Sequence, residues 1–450
     1  MVEKNSYHEV TFTDLTHDAM GVCKIDGYPV FVKDALKGEK ALIKVVKTNK
    51  NFGFGRLIEI KDVSPFRKQP ICDHFNECGG CNMMHMNYEM QLGFKKHRVK
   101  ETLRKLGHIE TDVDDTVGMN NPFYYRNKAI IPFARDNGKI VAGMYKPRSH
   151  DIVDVRRCHV WPKVFSDITR FLKRFLDSLD YSIYDETSHS GVFRGIMLRR
   201  SKDNEQLSLT LIVNGNKVPY KDSIVETVLE RFPCVKSIVA NFNKEKTNVM
   251  LGRKSKVLYG EDAIYDTLLG NEYRISHKSF YQVNPLQTEA LYEKAIEVAD
   301  LDENDTAMDA FSGIGTIALS LARNVKRVIG LESVGAAVED ARENAVRNGI
   351  DNAEFHVGKV EDIIGRFKNE NVDVLFVDPP RKGCKRDFLD AVLDMDIDKI
   401  VYVSCNVSTL ARDLNILVGA GYIIKSVTPF DMFPQTSHIE SVTLLEKNRD

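Results

Sequence analysis

Apolar and polar residues alternate along this chain in two rhythms. Residues 7–60 carry short two-residue alternations: Glu9-Val10-Thr11-Phe12, Gly21 to Ile25, Pro29 to Val32, Ala41 to Val46 and Gly53 to Ile60. Turn pairs such as Asp26-Gly27 and Lys37-Gly38 separate them. This spacing predicts a small five-stranded β-barrel, with Val63-Ser64-Pro65 as a linker. From about 96 to 270, β-rich segments (128–134, 140–145, 195–200, 207–213, 237–241) are interrupted by helical stretches such as Lys163–Leu179, which predicts an α+β domain with an antiparallel sheet. Beyond 276 the rhythm changes. Segments at 306–309, 327–332, 353–357, 372–377 and 399–403 read as strands and alternate with helical periods such as Leu286–Ala299. Such alternation predicts a parallel, doubly wound, Rossmann-like sheet. The expected organisation is a barrel over 1–62, a cysteine-bearing segment with the central α+β domain over 63–275, and an α/β domain over 276–450.

A length of 450 residues suits several domains, and 43% apolar with 28% charged residues is ordinary for a soluble protein. Net charge is −1, so the overall field announces no polyanionic partner; local clusters such as Lys95-Lys96-His97-Arg98 carry that question. No apolar run approaches the roughly 18 residues of a membrane span. The N-terminus has no signal-peptide pattern, which predicts a cytoplasmic protein with reduced thiols. The eight cysteines are then ligands, nucleophiles or core residues rather than disulfides.

Four of the strand-like runs end in chemistry. Asp309-Ala310-Phe311-Ser312-Gly313-Ile314-Gly315 is a glycine turn opening a helix, without the third glycine of a dinucleotide fingerprint. About twenty residues on, Val328 to Glu332 ends in an acid that suits ribose hydroxyls. Asp378-Pro379-Pro380 is a stiffened turn holding a carboxylate, and Cys405 follows the run Ile400 to Val403. In an open α/β sheet these strand ends line one crevice. A thiol there reads in isolation as a small buried hydrophobe, but in this company as a nucleophile.

Together with Ser404-Cys405-Asn406, His438-Ile439-Glu440 and Ser279 to Asn284, these motifs resemble the RNA uracil-C5 methyltransferases, class I enzymes that use S-adenosylmethionine. The resemblance spans essentially the whole chain, with one departure at Ser312, where the family often has cysteine. It implies that Gln282, Phe311, Glu332 and Asp378 contact S-adenosylmethionine, that Cys405 is the nucleophile and that Glu440 is the proton acceptor. The chemistry asks for such a pair. Uracil C5 is a poor nucleophile until a thiolate adds at C6, and the C5 proton must later leave. An ordinary thiol is mostly protonated at neutral pH, so the site is expected to stabilise the thiolate, through Arg381 or Lys382. Cys384 is the nearest rival nucleophile.

Cys72-x5-Cys78-Gly79-Gly80-Cys81, with Cys158 farther on, offers four thiols. Spacing alone leaves zinc and an iron–sulfur cluster open, with His74 and His85 as lesser ligands. By resemblance to the iron–sulfur-bearing branch of the family, Cys72, Cys78, Cys81 and Cys158 hold a [4Fe–4S] cluster. The N-terminal barrel resembles a TRAM domain, with Lys44, Lys47, Lys50 and Arg56 for phosphates and Phe52 and Phe54 for stacking. Phe123 to Lys128 reads either as an RNA-facing stretch or as a core strand with incidental charges. The implied partner is RNA, with 23S rRNA expected ahead of tRNA and a flipped uridine as the target. No membrane partner is expected, and nothing requires more than a monomer. RNA cytosine-C5 methylation, and a non-enzymatic RNA-binding iron–sulfur protein, are the rival readings.

Overall fold

The structure, a computed structural model, describes residues 2–449. The N-terminal strands form a six-stranded sheet, one more than the sequence predicts, because Asp14–Leu15 adds a two-residue edge. In Lys40–Thr48 every second residue is buried, and Ala41, Ile43 and Val45 meet Val10, Cys23, Val30 and Val32 in one core. Phe31, Phe52 and Phe54 pack edge to edge outside that core, at centroid distances of 5.6–6.0 Å.

The central sheet has seven strands, and it is not purely antiparallel as expected. Leu207–Val213 and Val235–Phe242 run parallel, joined by the helix Lys221–Arg231. Every residue of Leu207–Val213 is buried, as a strand covered on both faces requires.

The C-terminal sheet runs in the order Ala353–Val357, Arg327–Glu332, Thr306–Ala310, Val374–Val377, Lys399–Ser404, Glu440–Lys447, Tyr422–Phe430. The first five strands are parallel. The last two, absent from the sequence reading, are antiparallel. Alternate side chains of each strand fill separate cores on the two faces: Ile400 and Tyr402 on one, Val401 and Val403 on the other. Chain order reverses at Thr306–Ala310, which opens a crevice at the carboxyl ends of this strand and Val374–Val377.

The helix Tyr88–Gly107 packs Val99 and Leu103 into one of these cores. Its polar inner face holds the segment 431–437 in place. Lys95 and Asp431, both with fully buried side chains, form an ion pair. Gln91 accepts from Gln435 N–H at 3.0 Å, and Arg98 donates to the Ser437 carbonyl. Removing either member of such a buried pair costs about 3–5 kcal/mol, because it strands the other charge. Among the described residues no helix is long and apolar enough to cross a membrane.

Candidate active site

The reversal crevice holds a cavity of about 610 Å³, within the range of small-molecule sites. Gln282, Phe311, Glu332, Asp378, Cys405 and Glu440 all line it. Six residues named from six separate stretches of sequence therefore share one space.

Each arrives by a local constraint. Phe311 takes φ 73°, in the left-handed region that bulky residues avoid, while Phe311 and Ser312 N–H both donate to the Leu331 carbonyl at 2.9 Å. At Gly315 (φ 84°) a side chain would meet the Phe355 ring at 3.0 Å, so close packing of turn against strand needs glycine there. The Glu332 carboxylate accepts from Val334 N–H (2.7 Å) and Gly313 N–H (3.2 Å), which fixes it at the rim of the turn. Gln282 lies in a segment stitched to the central domain: Asn127 donates its side-chain amide to the Gln282 carbonyl (2.9 Å) and its N–H to the Val283 carbonyl (2.8 Å).

Cys405 and Glu440 meet through strand register. Ser404 pairs with Ser441 on the antiparallel neighbour, and Cys405 and Glu440 are the next residues beyond that last pair, both lining the cavity. The turn after Asp378 is clamped to the same loop, since Asn406 donates its amide to the Arg381 carbonyl at 2.9 Å.

Burial dominates the electrostatics. It pushes the Glu440 carboxyl up to about 8, with Asp378 adding to the rise, and the Asp378 carboxyl up to about 7. One oxygen of Glu440, Oε2, is buried without a hydrogen-bond partner. The Cys405 thiol is pushed up to about 11 by burial, then by Glu440 and Asp378, with Arg381 opposing. Burial, with Glu440 and Asp378 adding to it, thus favours a thiol at rest, against the expectation of a stabilised thiolate. Of the two cations considered, Arg381 lines this cavity and Lys382 lines a neighbouring one.

Cys384 is excluded as a rival by position. It lines that neighbouring cavity, its Sγ lies 3.4 Å from the Tyr402 hydroxyl, and burial pushes it up to about 12.

The sequence reading assigned no role to Asp309, Phe433 or His438, all of which line the main cavity. Asp309 is fully buried, caps the following helix by accepting from Ala318 N–H (2.9 Å), and is held well above the usual carboxylate range by burial. Its place within the glycine-turn motif was the available signal. Phe433 sits in an irregular stretch with no periodicity to mark it.

A second, smaller cavity of about 70 Å³ is lined by Cys72, Cys78, Cys81 and Cys158. None of the four is in a disulfide. Burial raises all four thiols, Cys158 to about 12. A side chain on Gly79 would come within 3.0 Å of the Tyr145 carbonyl oxygen, so glycine lets this loop approach. Among the described residues, no group of three or more His, Cys, Asp or Glu side chains could hold a metal ion. His74 shares the cavity and its Nε2 accepts from Arg156 N–H at 3.3 Å, whereas His85 lies outside it. Of the paired tyrosines, Tyr125 is core and donates to the Pro434 carbonyl (3.0 Å), while Tyr124 is half-buried at the surface.

The comparisons with known proteins agree with this geometry. Residues 87–448 match the family described as tRNA (uracil-5-)-methyltransferase, and residues 2–58 match the TRAM domain. The chain belongs to the tRNA (uracil-5-)-methyltransferase family. A protein of Oceanobacillus iheyensis described as an uncharacterized RNA methyltransferase is 46% identical over 448 residues, 99% of this chain and 97% of its own. Another so described, from Bacillus cereus, is 44% identical over 449 residues, covering 99% and 98%. The crystal structure of Pyrococcus abyssi tRNA (uracil-54, C5)-methyltransferase with S-adenosyl-L-homocysteine superposes with a TM-score of 0.77 at 28% identity, covering 97% of this chain and 99% of that one. The protein is thus an S-adenosylmethionine-dependent RNA (uracil-5-)-methyltransferase with a TRAM domain at its N-terminus.

Proposed function

We propose that this methyltransferase modifies C5 of a uridine in 23S rRNA through a covalent bond between Cys405 Sγ and C6 of the base. The observation that carries the reading is that Cys405 and Glu440 line one cavity, each one residue beyond the last pair between their two strands. S-Adenosylmethionine, when bound, supplies an electrophilic methyl group; Gln282, Phe311, Glu332 and Asp378 hold it. The Cys405 thiol loses its proton to solvent, and addition of the resulting thiolate at C6 places carbanion character on C5, which takes the methyl group and leaves S-adenosylhomocysteine. Glu440 then removes the C5 proton as a carboxylate, the S–C6 bond breaks, and the thiolate and 5-methyluridine are released. Arg381 favours the anionic sulfur against the two carboxylates.

Cys72, Cys78, Cys81 and Cys158 would hold a [4Fe–4S] cluster. What supports the reading is that all four thiols line one small cavity although Cys158 lies far from the other three in sequence. Four protein ligands leave no open iron, so the role is structural or RNA-positioning. The segments 1–62, 63–275 and 276–450 serve as barrel, cysteine-bearing central region and methyltransferase domain, acting as a monomer in the cytoplasm.

A tRNA substrate is the second reading. The tRNA enzyme from Pyrococcus abyssi covers 97% of this chain, too much to leave out the barrel. The barrel therefore does not argue for rRNA. Offering 23S rRNA and tRNA transcripts with labelled methyl donor separates the two, and mapping identifies the base. With 5-fluorouridine in place of the target, a stable adduct through Cys405 is expected; labelled product without any adduct would overturn the covalent route.

The pH dependence follows from the same groups. Glu440, with its carboxyl raised to about 8, acts only when deprotonated, and so does the Cys405 thiol, raised to about 11. Activity is therefore lost as pH falls, and kcat/KM should rise at least about tenfold per unit between pH 6 and 7.5. A profile flat across that window would remove Glu440 from the proton-accepting role.

A further inference from the structure

A groove on the central domain combines rings and unpaired cations. One wall is a single stripe of the helix Lys163–Ser178, in which Lys163, Asp167, Arg170, Phe171 and Arg174 recur at three- and four-residue steps. The other wall is the segment Arg231 to Cys234. Two cavities, of about 370 and 420 Å³, lie in succession between these walls. The first begins at Tyr124, two residues from Arg126, whose guanidinium sits 5.7 Å over the Phe433 ring of the cofactor cavity. The groove thus leads away from the active site.

Its chemistry is that of a nucleic-acid track. Tyr124 is held at φ 56°, a strained value for a tyrosine, with Arg157 and Lys163 over its ring at 5.9 and 5.6 Å. Farther along, Arg231 lies 5.7 Å over Phe171, and Phe232 packs edge-on against the same ring at 5.6 Å. The two acids of the groove are spent internally, Asp167 on Arg170 and Glu205 on Arg200. Arg174 and Arg231 have no carboxylate partner among the described residues. From Lys163 to Arg174 the helix rises about 16 Å, room for four or five stacked nucleotides at roughly 3.4 Å each. Half-buried rings beside guanidiniums that lack carboxylate partners fit bases and phosphates better than they fit an acidic protein surface, which offers nothing to stack.

We propose that this groove binds a single-stranded stretch of the substrate RNA flanking the target uridine, with phosphates on Arg174 and Arg231 and bases stacked on Tyr124, Phe171 and Phe232. The proposal rests on RNA being the substrate, and its test needs no methyl transfer. Binding of poly(U) is measured by fluorescence anisotropy across a salt series. The double variant Arg174→Glu/Arg231→Glu should weaken affinity at least tenfold and lower the slope of log K against log salt by about 1.4, roughly 0.7 for each of two phosphate contacts. Phe171→Ala should weaken binding about tenfold with the salt slope unchanged, since stacking is lost rather than charge. Unchanged S-adenosylmethionine binding and melting temperature show that the variants fold; should Phe171→Ala fail to fold, the double surface variant decides alone. Affinity and slope within twofold of wild type overturn the proposal and leave a protein as the occupant. A loss confined to duplex RNA overturns it equally. Failure of the Cys405 adduct would leave this test standing.

Discussion

Replacing Cys405 by Ala is expected to abolish methyl transfer, lowering turnover by more than about 10⁴-fold, while RNA and methyl-donor affinities survive. No other thiol lines the cofactor cavity. Cys384 opens onto a different space, and Arg412 and Asp413 hold it there: Arg412 donates to the Cys384 carbonyl (2.9 Å) and Asp413 accepts from its N–H (2.8 Å). It cannot stand in without unmaking that turn. Single-turnover transfer of labelled methyl, read beside RNA anisotropy, checks the expectation. Transfer persisting within tenfold of wild type would mean that the sulfur does not bond to the base.

Glu440→Gln should give a different and more telling defect. Without a proton acceptor the C5 proton stays, so methylation proceeds but elimination stalls. Turnover is expected to fall about 10²–10⁴-fold while an RNA–protein adduct carrying the methyl group accumulates. The substitution is nearly isosteric, and one carboxylate oxygen already lacks a partner, so the amide breaks no observed bond at Oε2. Denaturing gels with labelled donor report the adduct directly. Wild-type turnover with no trapped species would assign the proton to another group, of which Asp378 is the nearest by electrostatics.

The two defects also show how far the sequence could be read. Cys405 and Asp378 were legible because each follows a continuous apolar run, the mark of a parallel strand buried on both faces, whereas Phe311 follows Thr306–Ala310, where Asp309 interrupts the run, and was marked by its glycine turn and the resemblance. Glu440 was named from the resemblance alone. Its strand pairs antiparallel after an irregular segment, and nothing in the local pattern announces Tyr422–Phe430 and Glu440–Lys447 as partners. The helix Tyr88–Gly107 was hidden for another reason: its inner face buries Gln91 and Lys95, which break the apolar stripe. The charge state of Cys405 was misjudged because basic neighbours in sequence were counted, whereas burial, with Glu440 and Asp378 adding to it, raises the thiol. The parallel pair in the central sheet escaped because its crossover is a short helix with few buried residues.

Asn127 carries one last consequence. The side chain and the N–H of Asn127 both bond the loop bearing Gln282, three residues along the chain from Tyr124. Linkage then makes the two affinities reciprocal: whatever factor bound RNA gains for the methyl donor, the donor must return to the RNA. If the two ligands bind as proposed, Asn127→Ala, which keeps the backbone bond to Val283 and loses only the side-chain one, is expected to lower that shared factor, read by measuring donor affinity with and without RNA.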